Sequence, residues 1–282
     1  MTLPTGEISF SQVRDELEKM GMINLDDSDV RGLAEKLNGI ISMSDLQGKS
    51  AIHWVEMLQA MIADDGVAND YFGTSVALDG NRLVVGAYNR DDGGISNRGK
   101  VYVYDWNGTS YVETTTVVAS DAVDYDRFGR SVALDGNRLV VGAIGRDVGG
   151  IVNIGKVYVY DWDGSAYVET TTLVASDAVA SDQFGTSVAL EGNRLVVGAI
   201  GRDDWRGKVY VYEWNGTSYV EVSTLLANDA VSDDFFGNSV ALDGDRLVVG
   251  AIGRDDGGIR NRGKVYVYDW NGTSYVEVTT IL

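Results

Sequence analysis

The sequence predicts an all-β fold made of four copies of one four-stranded unit. The first observation is a repeated motif, which begins at Phe72 as Phe-Gly-Thr-Ser-Val-Ala-Leu and continues from Leu83 as Leu-Val-Val-Gly-Ala. It returns with Phe128, Phe184 and Phe236 in the place of Phe72, and a period near 50 residues is typical of repeat folds. The second observation is composition, because 35 glycines and one proline among 282 residues suit a chain with many tight hairpin turns.

Turn signals divide each copy into four strands. Asn107-Gly108 is the strongest short hairpin signal in the first copy, and Asp79-Gly80-Asn81 marks a second tight turn. The predicted strands of the first copy, which the other three copies repeat, are Thr74–Leu78, Arg82–Ala87, Lys100–Trp106 and Tyr111–Ala119.

The side-chain pattern predicts how these strands are buried. Strand two is apolar at successive positions and strand three alternates Val with Tyr, so both faces of each must be covered. Strand four carries Thr114–Thr116, which suits a solvated edge, while Gly86 fits a place where strands crowd together. A sheet buried on both faces and wet at its outer edge is typical of a propeller blade. We therefore predict a four-bladed β-propeller in residues 51–282, with repeats at about 64–119, 120–175, 176–227 and 228–282.

A small helical module is predicted for residues 1–50. Ser9 and Gln12 have the spacing of a capping box, a second helix fits Asp27–Leu37, and a third fits Ser42–Gln47. Three short helices bury too little surface to be stable alone. The module is therefore expected to dock on the propeller or on another protein.

The segment 52–63 joins the two parts and is ambiguous. Trp54-Val55-Glu56 lines up with Tyr111-Val112-Glu113 of the repeat, which indicates a strand, whereas Met57–Met61 prefers helix. We interpret the segment as a strand that closes a ring or covers a sheet edge.

Charge and composition exclude several classes of partner. A net charge of −19 disfavours nucleic-acid backbones and anionic membrane surfaces. The absence of cysteine excludes disulfides and thiol chemistry. Residues 1–7 lack the basic and apolar regions of a signal peptide, and no apolar run approaches the roughly 20 residues of a membrane span. We expect no nucleic-acid partner, no membrane insertion and no export by a recognisable signal.

The repeated motif carries a family resemblance. Phe-Gly-x-Ser-Val-Ala-Leu, followed by Leu-Val-Val-Gly-Ala and Gly-Lys-Val-Tyr-Val-Tyr, resembles the FG-GAP repeat of integrin α-type propellers and of many bacterial surface proteins. The resemblance implies a β-propeller used for binding. In the integrin version an Asp-rich calcium loop joins strands one and two, but here only Asp79-Gly80-Asn81 and its counterparts stand there. Two or three residues cannot supply the 6–8 oxygens that calcium prefers, so we expect no cofactor and no metal at these turns.

Two recurring sets of charged residues are candidates for binding. The Asp-rich loops before each Phe-Gly either hold cations at a rim or are solvated turns in which Asp has turn chemistry. An Arg-Asp pair follows each Gly-Ala, and its arginines could meet carboxylated or sulfated glycans on one face or could form structural ion pairs between blades. These arginines are Arg90, Arg146, Arg202 and Arg254.

The third copy breaks the symmetry. Its loop at residues 201–207 is four residues shorter than its counterparts and places Trp205 beside Arg206. Aromatic and Arg side chains are common at binding hot spots, whereas the alternative is a tryptophan that only fills the gap of a shortened loop.

The N-terminal segment also carries a resemblance. Ile8–Val13 and Ser42–Ser50 resemble stretches in short N-terminal modules of tailed-phage virion proteins, particularly those of cyanophages. The resemblance implies a virion location and attachment to other virion proteins through residues 1–50. We also expect a homo-oligomer on the particle.

Three functions remain open from the sequence. The first is a non-enzymatic virion structural protein (tail, fibre or capsid-associated) whose propeller binds a protein or a host-surface glycan. The second is a bacterial surface or secreted adhesion propeller, which would be extracellular. The third is a polysaccharide-degrading enzyme with paired carboxylates. We do not expect the protein to be an enzyme. A catalytic residue normally has one unique position, whereas the polar groups here recur in four copies, and His53 is the only histidine.

Overall fold

A computed structural model describes residues 61–255 and 257–281. The chain divides into two units, Met1–Met61 and Ile62–Leu282, and the described residues belong almost entirely to the second. The helical module predicted for residues 1–50 lies outside the described residues, as does most of the joint at 52–63. The last residues of that joint, 61–63, are not part of a strand.

The described residues contain sixteen strands, which form four antiparallel sheets of four strands each. Within every sheet the strands lie in chain order, as consecutive hairpins require. We call the sheets blades 1 to 4. Blade 1 contains β1 (Ser75–Asp79), β2 (Arg82–Ala87), β3 (Lys100–Trp106) and β4 (Tyr111–Val117). Blade 2 contains β5 (Phe128–Asp135), β6 (Arg138–Ala143), β7 (Lys156–Trp162) and β8 (Tyr167–Leu173).

Blades 3 and 4 repeat the strand order of blades 1 and 2, and blade 3 also contains one helical turn. Blade 3 contains β9 (Phe184–Glu191), β10 (Arg194–Ala199), β11 (Lys208–Trp214) and β12 (Tyr219–Leu225). A single turn, α1 (Arg202–Trp205), lies between β10 and β11. Blade 4 contains β13 (Phe236–Asp243), β14 (Arg246–Ala251), β15 (Lys264–Trp270) and β16 (Tyr275–Ile281). The predicted all-β class and the four four-stranded repeats are confirmed.

The first strand differs between blade 1 and the others. In blade 2 it begins at Phe128, which pairs with Ala143 across a bulge and also forms a parallel bridge with Gly99 of blade 1. In blade 1 the strand begins only at Ser75. The physical reason is that Phe128 is held by the blade before it, whereas blade 1 follows no other blade in the described residues.

The hydrophobic core is divided among the spaces between neighbouring blades. Val101 and Val103 of blade 1 pack against Phe128, Val132 and Tyr158 of blade 2. The Phe128 and Tyr158 rings meet edge to face at 5.4 Å, a favourable arrangement for aromatic pairs. Equivalent clusters lie between blades 2 and 3 and between blades 3 and 4. Each blade is thus stabilised mainly by its neighbours.

Glycine permits this close packing of one blade on the next. A Cβ added to Gly86 of β2 would lie 2.1 Å from the carbonyl oxygen of Gly129 in the next blade. Gly142 and Gly198 meet the following blade in the same way. The prediction that Gly86 lies where strands crowd together is confirmed.

Within residues 61–255 and 257–281, the first and last blades do not pack on each other as neighbouring blades do. Packing runs from β1 to β5, from β5 to β9 and from β9 to β13, but no comparable packing joins β13 to β1 among the described residues. Val76 and Leu78 of β1 are 62% and 60% exposed, whereas Val132, the counterpart of Val76, is 8% exposed. The four predicted blades are present, but a closed ring of four would need a contact that this structure does not contain.

Candidate functional site

The arginine of each Arg-Asp pair lies in an ion-paired cluster at the end of its blade. In blade 2, Arg146 Nη1 lies 3.1 Å from Asp126 Oδ2, and Nη2 lies 2.9 Å from Asp121 Oδ2. Lys156 Nζ lies 2.8 Å from the same Asp121 oxygen, and the Tyr158 hydroxyl donates to the other oxygen at 2.8 Å. We call this arrangement the Asp–Arg cluster. It recurs as Arg90 with Asp65 and Asp70, Arg202 with Asp177 and Asp182, and Arg254 with Asp229 and Asp234.

The two carboxylates of a cluster have different environments. Asp126 is fully buried and accepts a hydrogen bond from the Val123 N–H at 2.8 Å. Burial raises its pKa, although this backbone bond and Arg146 oppose that effect. For Asp121, burial also favours the neutral form, but hydrogen bonds from Lys156 and Tyr158 outweigh it and lower the pKa. Asp121 is therefore held as a carboxylate.

The clusters have a structural role. The four arginine side chains are only 12–20% exposed, and each guanidinium joins its blade to the acidic loop that leads into that blade. A ligand acid would have to compete with two carboxylates for each guanidinium. Direct ligand binding by Arg90, Arg146 and Arg254 stays a prediction. Lys156 and Tyr158 are further partners of Asp121 that the sequence pattern did not predict, although a Lys-Val-Tyr step recurs in all four copies.

The aspartates that follow these arginines shape the loops themselves. Asp147 accepts a hydrogen bond from the Asn153 N–H at 2.6 Å, and Asp91 accepts one from the Asn97 N–H at 2.6 Å. Asn97, Asn153 and Asn261 all adopt positive φ angles of 47–50°. Asn tolerates this left-handed region better than other residues that have a Cβ.

The shortened loop of blade 3 has a tryptophan at this left-handed position. Trp205 occupies the position of these asparagines. Its carbonyl accepts the Phe235 N–H at 2.9 Å, as the carbonyls of Asn97 and Asn153 accept the equivalent N–H groups at 3.1 Å. Its φ is 60°. Asp203 (φ 53°, ψ 58°) and Asp204 (φ 60°, ψ 46°) precede it in the same conformation, so α1 contains three successive left-handed residues. Each costs roughly 1–2 kcal/mol for a side chain of this kind.

The side chains of this loop form a mixed aromatic and charged surface. The Trp205 ring contacts Phe235 edge to face at 5.7 Å and remains partly exposed. Arg206 is 45% exposed and lies 3.4 Å from the Asp203 carboxylate. The two residues singled out in the sequence therefore both reach the surface, and Trp205 does so on a strained backbone.

A groove lies beside the shortened loop. Its volume is about 420 Å³, which is within the range of about 300–1,000 Å³ for small-molecule sites. Arg202 and Asp203 of the loop line it together with Val179, Lys208 and Leu226. It therefore combines apolar walls with both signs of charge.

The acidic turns between first and second strands act between blades. Asp79 accepts a hydrogen bond from the Gly136 N–H of the next blade at 2.6 Å, and Glu191 accepts one from the Gly244 N–H at 2.7 Å. Within residues 61–255 and 257–281 there is no group of three or more His, Cys, Asp or Glu side chains that could hold a metal ion. In that part of the chain, no helix is long and apolar enough to cross a membrane.

Comparison with known proteins agrees with the repeat pattern. The family model described as FG-GAP repeat matches residues 54–104, 111–160, 163–212 and 219–268. No curated protein sequence matches the chain. Among solved structures, the chain is similar to Sqt1 of Saccharomyces cerevisiae, with 11% identity and a TM-score of 0.44 over 76% of this chain and 49% of Sqt1. The chain thus spans about half the length of that structure. With four matched repeats that cover most of its length, the chain belongs to the FG-GAP repeat family.

Proposed function

We propose that this protein is a non-enzymatic structural protein of a tailed-phage virion. Residues 1–50 attach it to other virion proteins, and the blades bind a protein or a host-surface glycan. Two features support the proposal: the phage-like sequence of the N-terminal segment and the use of FG-GAP propellers for binding. A homo-oligomer on the particle is also part of this proposal.

One observation supports the placement of the binding site. The polar groups that recur in four copies are engaged in ion pairs and hydrogen bonds of the scaffold, whereas the loop at 201–207 exists once. It places Trp205 on a left-handed backbone, directly before the exposed Arg206. Strain of this kind persists where the surrounding structure imposes it and is concentrated at functional sites. Trp205 and Arg206 are therefore the proposed centre of the site.

The residues of the shortened loop define the chemistry of the ligand. The indole face of Trp205 supplies apolar contact area, and Arg206 supplies a guanidinium that can bind a carboxylate or sulfate with two hydrogen bonds. Arg202 lines the groove and is the one member of the four predicted arginines that belongs to this loop. A glycan with acidic groups, or a protein segment with an exposed carboxylate, fits these features.

A binding measurement tests the site. Host-surface polysaccharide is titrated into the full-length protein, and the Trp205→Ala and Arg206→Ala variants are expected to bind at least tenfold more weakly. Arg127→Ala serves as the matched control, because Arg127 is also an exposed loop arginine that lies outside the shortened loop. Equal binding by all four proteins would contradict the proposed site.

Immunogold labelling tests the location. Antibody against residues 1–50 is expected to decorate purified virions after mild disruption. If particles stay unlabelled and the antibody instead decorates the bacterial surface, the virion assignment is wrong and the adhesion alternative takes its place.

A further inference from the structure

Each space between blades is held by the same set of hydrogen bonds. Between blades 1 and 2, Ser75 Oγ donates to the Gly129 carbonyl at 2.8 Å, and Asp79 accepts the Gly136 N–H at 2.6 Å. Ser131 and Ser187 donate to the carbonyls of the next blades at 2.7 Å. The face that each blade turns towards the next blade therefore has a fixed complement on that next blade.

An arginine–aromatic contact accompanies these bonds. Arg82 of blade 1 lies over the Trp162 ring of blade 2, with its Cζ atom 4.0 Å from the ring centroid. The equivalent distances are 4.1 Å for Arg138 over Trp214 and 4.4 Å for Arg194 over Trp270. These three arginines are only 17–18% exposed. A cation–π contact stabilises most where the cation is desolvated, so each of these contacts favours the packing of one blade on the next.

Blade 4 presents the first half of this interface, and no blade of the described part of the chain lies opposite it. Arg246, the counterpart of Arg82, is 61% exposed. A Cβ added to Gly250 would meet only Ser239 within 4 Å, whereas one added to Gly86 meets the next blade at 2.1 Å. Val265 and Val267 are partly exposed, although their counterparts in the other blades are fully buried. This face of blade 4 therefore has the same residues as the buried interfaces between blades, but its side chains are exposed to solvent.

Blade 1 presents the second half. Val76 and Leu78 are about 60% exposed, and Leu83 is partly exposed, although Leu139, its counterpart in blade 2, is fully buried. The Trp106 and Tyr111 rings of this blade contact each other at 5.2 Å, as the Trp–Tyr pairs that receive arginines in blades 2 to 4 do. This platform holds no arginine among the described residues.

We propose that blade 4 of one copy packs against blade 1 of a second copy of this chain. Arg246 of the first copy would lie on Trp106 and Tyr111 of the second, and Ser239 would donate to the carbonyl of Gly73, the counterpart of Gly129. The two faces are complementary because the chain builds the same interface three times within itself. Since comparable packing is absent between β13 and β1 of the described chain, a second copy supplies the missing blade.

The contact joins two different faces, so it is heterologous and can form a ring or a filament. Two copies joined reciprocally contain eight blades, which is within the usual range of about 4–8 for propellers. A closed dimer leaves no end face exposed, whereas a filament always leaves two. We therefore infer a ring of two copies. This inference does not depend on the proposed virion function.

Sedimentation of the full-length protein tests the interface. The expected mass is twice that of one chain, and Arg246→Glu is expected to reduce it to one chain. Gly250→Ala gives the same result by a separate route, since its methyl group would collide with the partner's backbone. Within its own chain it would lie 2.4 Å from the Ser239 hydroxyl, which can rotate away. Arg127→Glu is the control, because it makes the same charge change on an exposed loop arginine away from both end faces. A wild-type monomer, or a dimer that survives both interface variants, would overturn the proposal.

Cross-linking distinguishes contact between copies from closure within one chain. The chain has no cysteine, so Asp243→Cys and Asn81→Cys can be made as two separate proteins with one cysteine each. When these are mixed, a short bis-maleimide is expected to yield a covalent dimer of one variant with the other. The pair Asp79→Cys and Asn137→Cys placed in one chain is the internal control, and it should cross-link without a change in mass. If a double variant that carries Asp243→Cys and Asn81→Cys in one chain cross-links only within itself, at every protein concentration, the proposal is contradicted.

Discussion

Trp205 shows how a single residue can depart from the repeat at a cost. Asn occupies the equivalent left-handed position in the other three copies, and the left-handed conformation costs a bulky residue roughly 1–2 kcal/mol. The edge-to-face contact with Phe235 recovers about 0.5–1.5 kcal/mol. The two effects nearly cancel, so stability alone gives no reason to prefer tryptophan here.

Replacement of Trp205 separates backbone strain from side-chain contact. Trp205→Asn removes both the strain and the aromatic contact, and we expect its free energy of unfolding to stay within about 1 kcal/mol of wild type. Trp205→Ala loses the contact but keeps most of the strain, so it should be less stable than Trp205→Asn. Chemical denaturation of the three proteins measures the order, and a Trp205→Ala protein more stable than the Asn variant would contradict the strain argument.

The buried tyrosines predict a loss of stability in alkali. Burial, together with hydrogen bonds to Asp121, Asp177 and Asp229, raises the pKa of Tyr158, Tyr210 and Tyr266 above the ordinary value of 10.0. Because the pKa of these tyrosines is higher in the folded than in the unfolded protein, their contribution to folding stability is fully present below pH 10. It is lost as the pH rises above that value. Thermal unfolding should therefore shift to lower temperature above about pH 10, and ultraviolet absorbance should show phenolate appearing with unfolding.

The matched variant for this prediction is Tyr158→Phe. It removes the hydrogen bond to Asp121 and is expected to lower stability at neutral pH by about 1 kcal/mol. Its decline in alkali should be smaller than that of the wild type, because one of the responsible groups is absent. An equal decline would show that Tyr158 does not take part in the effect.

At the scale of elements, the strands could be predicted from the sequence much better than the contacts between blades. Strands two and three match the prediction at both ends, Arg82–Ala87 and Lys100–Trp106, because Asn-Gly turns and unbroken apolar runs are local signals. The start of β5 at Phe128 depends on a bridge to Gly99 in another blade, which no local pattern contains. The four blades were predictable, but the open stack was not.

The candidate site shows the same division between local and distant information. Trp205 and Arg206 were identified because their loop differs in length from three others. Ion pairs of the repeated arginines were one of two alternatives, but the sharing of Asp121 by Arg146, Lys156 and Tyr158 was not predicted, because it joins residues from three segments. The proposed site therefore rests on a sequence difference between copies, whereas the charged residues that all copies share form ion pairs of the scaffold.

A loop exchange tests the role of the shortened loop as an element. Residues 201–207 are replaced by the sequence of residues 145–155, which serves the same connection in blade 2. The chimera is expected to fold with stability near that of wild type, since this loop occurs in the same scaffold, and to lose binding at least tenfold. Full binding by a folded chimera would place the site elsewhere. Circular dichroism and the polysaccharide titration provide the two readouts.

Gly142 provides the corresponding test for the packing of blades. A Cβ at this position would lie 2.1 Å from the Gly185 carbonyl, so Gly142→Ala must push blades 2 and 3 apart. We expect a loss of about 1–3 kcal/mol, measured by chemical denaturation. Gly136→Ala is a useful comparison, because its added methyl would meet no neighbouring atom within 4 Å and the cost would come only from the positive φ of 56°.

For the whole molecule, the repeat implies one interface used several times. Three copies of it lie within the chain, and its two halves are exposed on blades 1 and 4. The net charge of −19 opposes association of copies, so the short-range contacts of Arg246 and the apolar faces must exceed that repulsion. Added salt screens such repulsion, so we expect salt to strengthen the dimer. An interface dominated by ion pairs would instead become weaker when salt is added.

Electron microscopy of the purified protein counts the blades in a closed particle. We predict class averages that show one ring of eight blades built from two chains, with the Arg246→Glu variant giving open four-blade particles. A closed ring of four blades from a single chain would contradict it.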